Sequence, residues 1–174
     1  PPPMRKVKMK FSEVYPALPL LEMLDTTFDT LSWSTHAHGV EGVGSIGDFQ
    51  VKLTLTSVTY AELDGVNVTF AVYDGAKYTE VFQNTDTKNS ALLIGAVTNA
   101  LKDKLSEFEW DFVLLVAKDN ISSRSKLYPH IAKRISKERG LGYVEFNVRN
   151  SHITLLTSLP VDETRSLVDN IINS

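Results

Sequence analysis

The chain has 174 residues, a formal net charge of −3, 43% hydrophobic and 22% charged residues, and no cysteine. That length suits one domain that buries roughly two-thirds of its unfolded surface, and the composition is ordinary for a globular protein. Disulfides and thiolate redox or zinc centres are excluded, no apolar run approaches the roughly 20 residues of a membrane helix, and no secretory leader is visible, so a cytoplasmic protein is expected.

Taken in order, Pro1-Pro2-Pro3 precedes Met4 as either a short polyproline II arm or residues not native to the protein. Residues 5 to 11 alternate basic and apolar, with Val7, Met9 and Phe11 on one side of a predicted strand. Leu21, Leu24, Phe28 and Leu31 recur at helical spacing and predict a first helix reaching Ser32-Trp33-Ser34. The stretch from Thr35 to Asp48 is rich in glycine and reads as a loop or wide turn. Residues 49 to 83 read as three antiparallel strands, with turns at Asp64-Gly65 and Asp74-Gly75.

A helix is predicted over residues 91 to 108, capped by Asn89 or Ser90 and carrying the stripe Leu93, Val97, Leu101, Leu105 and Phe108. Phe112 to Ala117 is an unbroken apolar run, a strand buried on both faces. The organising unit of the chain follows from it: this strand, a helix from Ser123 to Arg139 stopped by Gly140, and the alternating strand Tyr143 to Val148. A turn at Arg149-Asn150-Ser151 predicts a hairpin to a strand through His152, Thr154 and Leu156. A short helix over residues 161 to 172 ends the reading, with Asp162 and Glu163 in its first turn, where the helix dipole favours them. The fold class expected is α/β (α+β): a central mixed, mostly antiparallel sheet with flanking helices in one domain.

Charge is unevenly spread. Residues 124 to 139 hold Arg124, Lys126, Lys133, Arg134, Lys137 and Arg139 against one acid, Glu138, a local charge of +5 that leaves −8 for the rest. The surface of such a helix is either simply solvated or a contact for phosphate, nucleic acid or an acidic protein, and Arg124, Lys126, Lys133, Arg134 and Lys137 are the candidate anion and partner contacts. Ser122, Ser123 and Ser125 stand where a helix cap is expected and where first-turn N–H groups receive anions. His36 and His38 offer only two close nitrogen donors, too few for a structural metal site, so no metal is expected. His130 and His152 read as surface or core residues, and Trp33 and Trp110 as core anchors. No nucleophile elbow, Walker loop or dinucleotide fingerprint is present.

The order strand, helix, three-stranded meander, helix, strand, helix, strand, strand resembles the GCN5-related acetyltransferase fold over most of the chain. The stretch from Val113 to Tyr128 is similar to that family's later motif: a buried strand, Asn120 beyond it, and a helix bringing Leu127-Tyr128. The resemblance implies acetyl-coenzyme A as cofactor, with Asn120, Ser123 and Arg124 beside it. It also implies that Tyr128 is the acid that reprotonates the leaving thiolate.

The sequence departs from that pattern where the family places a glycine-containing loop against the pyrophosphate. Here residues 84 to 90 have no glycine and carry Asp86. The asparagine-to-tyrosine spacing is also one residue longer. Ser123-Arg124, Leu127-Tyr128, Ile131, Arg134 and Gly142-Tyr143 further resemble a segment in small uncharacterised proteins of tailed bacteriophages, which implies a viral origin. The first expectation is therefore a phage-type accessory protein on an acetyltransferase-like scaffold with an altered cofactor loop. It would need no cofactor and would bind a protein or nucleic acid through the basic helix in the host cytoplasm. The alternatives are an active N-acyltransferase using acyl-coenzyme A and a virion or assembly component, with self-association left open.

Overall fold

The computed structural model describes residues 26–79, 87–118 and 122–174, with side chains at 87–90 and 122–126 outside the description. The strand expected over residues 5 to 11, most of the helix expected before Leu31, and Asn120 lie outside it. Eight strands form one sheet: β1 (Thr30–His36), β2 (Gly39–Ile46), β3 (Phe49–Tyr60), β4 (Leu63–Tyr73), β5 (Tyr78–Thr79), β6 (Phe112–Ala117), β7 (Gly142–Val148) and β8 (Ser151–Thr157). Three described helices complete the fold: α1 (Thr87–Leu105), α2 (Ser122–Arg139) and α3 (Val161–Ile172). The spatial order is β1-β2-β3-β4-β6-β8-β7, with β5 paired to β4. All neighbours are antiparallel except β4 and β6. The expected α+β class is what forms, and the meander and the later strands share one sheet.

Several expected elements change character. Leu31 and Trp33 belong to β1, whose alternation points them inward, so the helix expected to run through them does not form there. The glycine-rich stretch after it is the strand β2, in which Val40 and Ile46 are buried. Gly42 faces Trp33 directly across the pair, and a Cβ there would come 2.8 Å from the indole ring. Glycine in this strand therefore admits an aromatic neighbour rather than marking a loop.

The turn between β3 and β4 falls on Ala61 and Glu62, both at positive φ (51° and 65°), and not on Asp64-Gly65. Gly65 lies within β4, where a Cβ would overlap the ring of Phe112. Asp64 is tied to the start of β6: its N–H donates to the Asp111 carboxylate (2.9 Å) and its carbonyl accepts from the Asp111 N–H (2.7 Å). The Asp74-Gly75 turn forms as expected, Asp74 Oδ1 accepting from the N–H groups of Ala76 and Lys77 at 2.9 Å. Those bonds hold the Asp74 carboxyl below its usual pKa. Of the third meander strand, Tyr78–Thr79 pair with β4.

Helix α1 begins at Thr87, earlier than expected, and ends at Leu105, where the Trp110 indole N–H caps the Leu105 carbonyl at 3.0 Å. Leu93, Val97, Leu101 and Leu105 are buried, whereas Phe108 lies beyond the helix and is exposed. At the end of α2 the Leu141 N–H reaches back to the Ser136 carbonyl (3.0 Å) around Gly140 at φ 67°. This is the left-handed stop expected of a glycine cap. Pro129 lies inside α2 and has no N–H for the carbonyl of Ser125.

The core has two parts, one on each sheet face. On one face Val51, Leu53, Leu55, Val68, Phe70, Val113 and Leu115 pack beneath α1 and α2. On the other, Phe112, Leu114, Val144, Ile153 and Leu155 receive Leu167 and Ile171 of α3, while Ile172 points out to solvent. β6 contributes alternate side chains to both, which is why it reads as a continuous apolar run. Each such fully buried aliphatic side chain contributes about 1.5 to 3 kcal/mol.

Candidate functional site

β4 and β6 run parallel but pair only from Gly65–Phe112 to Val68–Leu115. β4 then continues to Tyr73 and β6 to Ala117, and among the described residues the flank of β4 beyond Val68 is taken up only at Val72 and Tyr73, by β5. Among the described residues the sheet therefore has a split at the carboxyl ends of its two parallel strands. Residues of α1 and α2 border that same edge. The carboxyl ends of the two helices lie together at the opposite edge, where Lys102 Nζ meets Glu138 Oε2 at 2.9 Å. Because α1 leads into the start of β6 and α2 leaves from its end, both helices begin beside the split. An opening at the carboxyl ends of parallel strands, bordered by helix N-termini, is where α/β proteins place anionic ligands.

Tyr128 reaches from α2 to the sheet face beneath it. Its ring meets Phe70 edge-on, centroids 5.5 Å apart at 69°, and Phe70 lies on β4 just past the last pair with β6. The side chain is only 1% exposed and belongs to the core beneath α2. Ser123, Arg124 and Lys126 fall in the first turns of α2, with Asn120 just before them outside the described residues. His130, on the same helix, is buried, and burial followed by repulsion from Lys133 holds its pKa below 6.5.

The later part of the basic helix is already partly engaged within the chain. Glu138 accepts from Lys102 and from Arg134 Nε at 3.2 Å, and these contacts keep its carboxyl below the usual value. Arg139 stacks on the Trp110 ring at 5.5 Å. Lys137 is exposed and Lys133 half-buried. Trp33 and Trp110 are half-buried margin residues, and Lys104 sits 5.0 Å over the Trp33 ring.

A second polar cluster lies at the same edge as the split and was not singled out from sequence. His152 Nε2 is 3.0 Å from Glu145 Oε1, and His152 Nδ1 is 3.0 Å from Asn147 Oδ1. The hairpin register makes it: a two-residue turn places His152 opposite Asn147 and diagonal to Glu145, all on the α2 face of the sheet. The predicted hairpin carries the signal, since a two-residue turn at Arg149-Asn150 sets His152 against Asn147 and Glu145, whereas a turn of three residues, Arg149-Asn150-Ser151, leaves that register open.

At the opposite edge of the sheet a cleft of about 530 Å³ is lined by His36, His38, Ser57, Asp64, Phe108 and Glu109 among others. His36 lies 3.8 Å from Glu41, and no group of three metal-ligating side chains occurs among the described residues. Among the described side chains of α2, Tyr128, Lys133 and Lys137 do not border this cleft. No known protein family, curated protein or solved structure matches the chain. No helix among the described residues is long and apolar enough to cross a membrane.

Proposed function

We propose that the protein is an acetyltransferase-like N-acyltransferase that binds an acyl-coenzyme A in the split between β4 and β6. The observation that carries this reading is the split itself: parallel neighbours that stop pairing after Val68 and Leu115 while two helices begin at the open edge. A thioester ligand with a phosphate-bearing arm suits such an opening, because first-turn N–H groups favour anions. Asn120, Ser123 and Arg124 belong to the segment that would meet that arm. Tyr128 is the residue that this reading takes as the acid for the leaving thiolate, and a phenol is a competent donor for that proton. The segment from residue 84 to 90 would meet the pyrophosphate without a glycine, so weaker cofactor affinity accompanies this reading.

Calorimetric titration with acetyl-coenzyme A and coenzyme A is the test, with turnover of Tyr128→Phe beside it. Saturable binding is expected, with Tyr128→Phe lowering turnover on the order of 10²-fold at little cost in binding. Absence of heat at millimolar ligand would remove the reading.

A second reading, binding of a partner through α2, is favoured by one observation. The lone acid of the helix is engaged by Lys102 and Arg134, so Lys137 is left exposed with no acid of its own helix to answer it. If nucleic acid is that partner, affinity falls steeply between about 50 and 200 mM salt, as phosphate contacts release counterions. A salt-independent affinity would argue for a protein partner instead.

A further inference from the structure

Transfer of an acyl group to an amine requires a base as well as an acid, and this inference rests on the acyl-transfer reading above. We propose that His152 is that base, with Nδ1 as the working nitrogen and Glu145 as the carboxylate that positions it. An ionised carboxylate can only accept, so the hydrogen of the neutral ring lies on Nε2, 3.0 Å from Glu145 Oε1. Nδ1 is then the basic nitrogen. It faces the Asn147 amide oxygen Oδ1 at 3.0 Å, an acceptor that suits the imidazolium, and a half-turn of this exposed amide brings its NH2 to the same place. Asn147 can offer its NH2 to the neutral ring and its oxygen to the imidazolium. Both proton states of His152 are thus hydrogen-bonded, and taking up a proton orphans no buried group.

Position supports the assignment. His152 pairs with Ala117, the last residue of β6, so it lies at the open edge and one strand away from the split. It is on the sheet face that carries α2, and its side chain is 19% exposed, enclosed but reachable. Asn147, which covers Nδ1, is exposed, so an amine can take its place. Thr154 lies two residues along β8 on the same face, opposite Glu145, and is fully buried. Its hydroxyl has no partner among the described residues, which leaves this polar row one hydrogen-bonding group short.

In the reaction, the amine nitrogen bonds to the thioester carbonyl carbon and gives one proton to His152 Nδ1. The carbon–sulfur bond breaks, the sulfur leaves with the electron pair, and it takes the proton of the Tyr128 phenol. The imidazolium proton then returns to the phenolate through solvent. The products are an amide and a free thiol.

The experiment uses the full chain with acetyl-coenzyme A as donor and spermidine or a lysine-containing tripeptide as acceptor, alongside calorimetry of acetyl-coenzyme A binding. His152→Gln is expected to lower kcat on the order of 10²-fold or more with donor binding unchanged. Glu145→Gln is expected to lower kcat and to move the acid limb of the kcat/KM pH profile, which a merely structural role would not do. Nitrogen NMR of the labelled imidazole supplies a reading independent of turnover, with hydrogen expected on Nε2 and Nδ1 bare at high pH. Hydrogen on Nδ1, unchanged turnover in His152→Gln, or donor binding without acylation of either amine overturns the base while leaving the donor site standing. If the native chain fails to bind acetyl-coenzyme A, the parent reading falls and the base with it.

Discussion

His130 is a titratable group that the fold keeps uncharged. It lies buried on α2, and desolvation together with the Lys133 charge places its folded-state pKa below the ordinary 6.5. As pH falls below 6.5 the unfolded chain takes up a proton that the folded chain refuses, so stability declines until the folded pKa is passed. Urea unfolding between pH 7.5 and 5 should show this decline, and His130→Gln should flatten it; an unchanged slope would mean that another group is responsible. Glu138 acts in a lower window. Its pKa is depressed by Lys102 first and Arg134 next, so its contribution is present above about 4.5 and fades as pH drops through its folded value. That contribution is small, since the pair is partly exposed and screened. Tyr128 packs its ring edge-on against Phe70, and under the acyl-transfer reading its hydroxyl would also be the proton source.

The turn between β3 and β4 carries a local conflict at the scale of the element. A two-residue hairpin of this hand wants Asn-Gly, yet Ala61 and Glu62 occupy it at positive φ. Replacing the pair by Asn-Gly should raise stability by about 1 to 2 kcal/mol in denaturant unfolding; a loss would mean that the Ala61 or Glu62 side chain makes a contact that matters. The true turn signal in the sequence, Asp64-Gly65, was misleading for a physical reason. Gly65 is required inside β4 by the ring of Phe112, and Asp64 by its bonds to Asp111, contacts that join residues far apart in sequence. β2 was illegible in the same way, because its glycines answer to Trp33 across the pair rather than to a loop. Where local chemistry decides, the reading was accurate: Gly140 ends α2, Asp74-Gly75 makes its turn, and β6 with its two-faced apolar run stands where its residues put it.

On the scale of the whole molecule, sequence order predicted the number and direction of the later strands but not that β8 inserts between β6 and β7. Nor could it locate the split, which depends on where the β4–β6 pairing stops after Val68 and Leu115. The candidate site was legible in part. Tyr128 and the start of α2 were marked by a local pattern, whereas the Glu145–His152 pair exists only through hairpin register. Two openings lie at opposite edges of the sheet, one at the split and one beside Phe108 and His36, and they make distinct demands on a ligand. Amide hydrogen exchange with and without acetyl-coenzyme A separates them directly. The account predicts new protection over residues 69 to 73 of β4, at Val116 and Ala117 of β6, and in the first turns of α1 and α2. Protection confined to the cleft around His38, Ser57 and Phe108, or none anywhere, would contradict it.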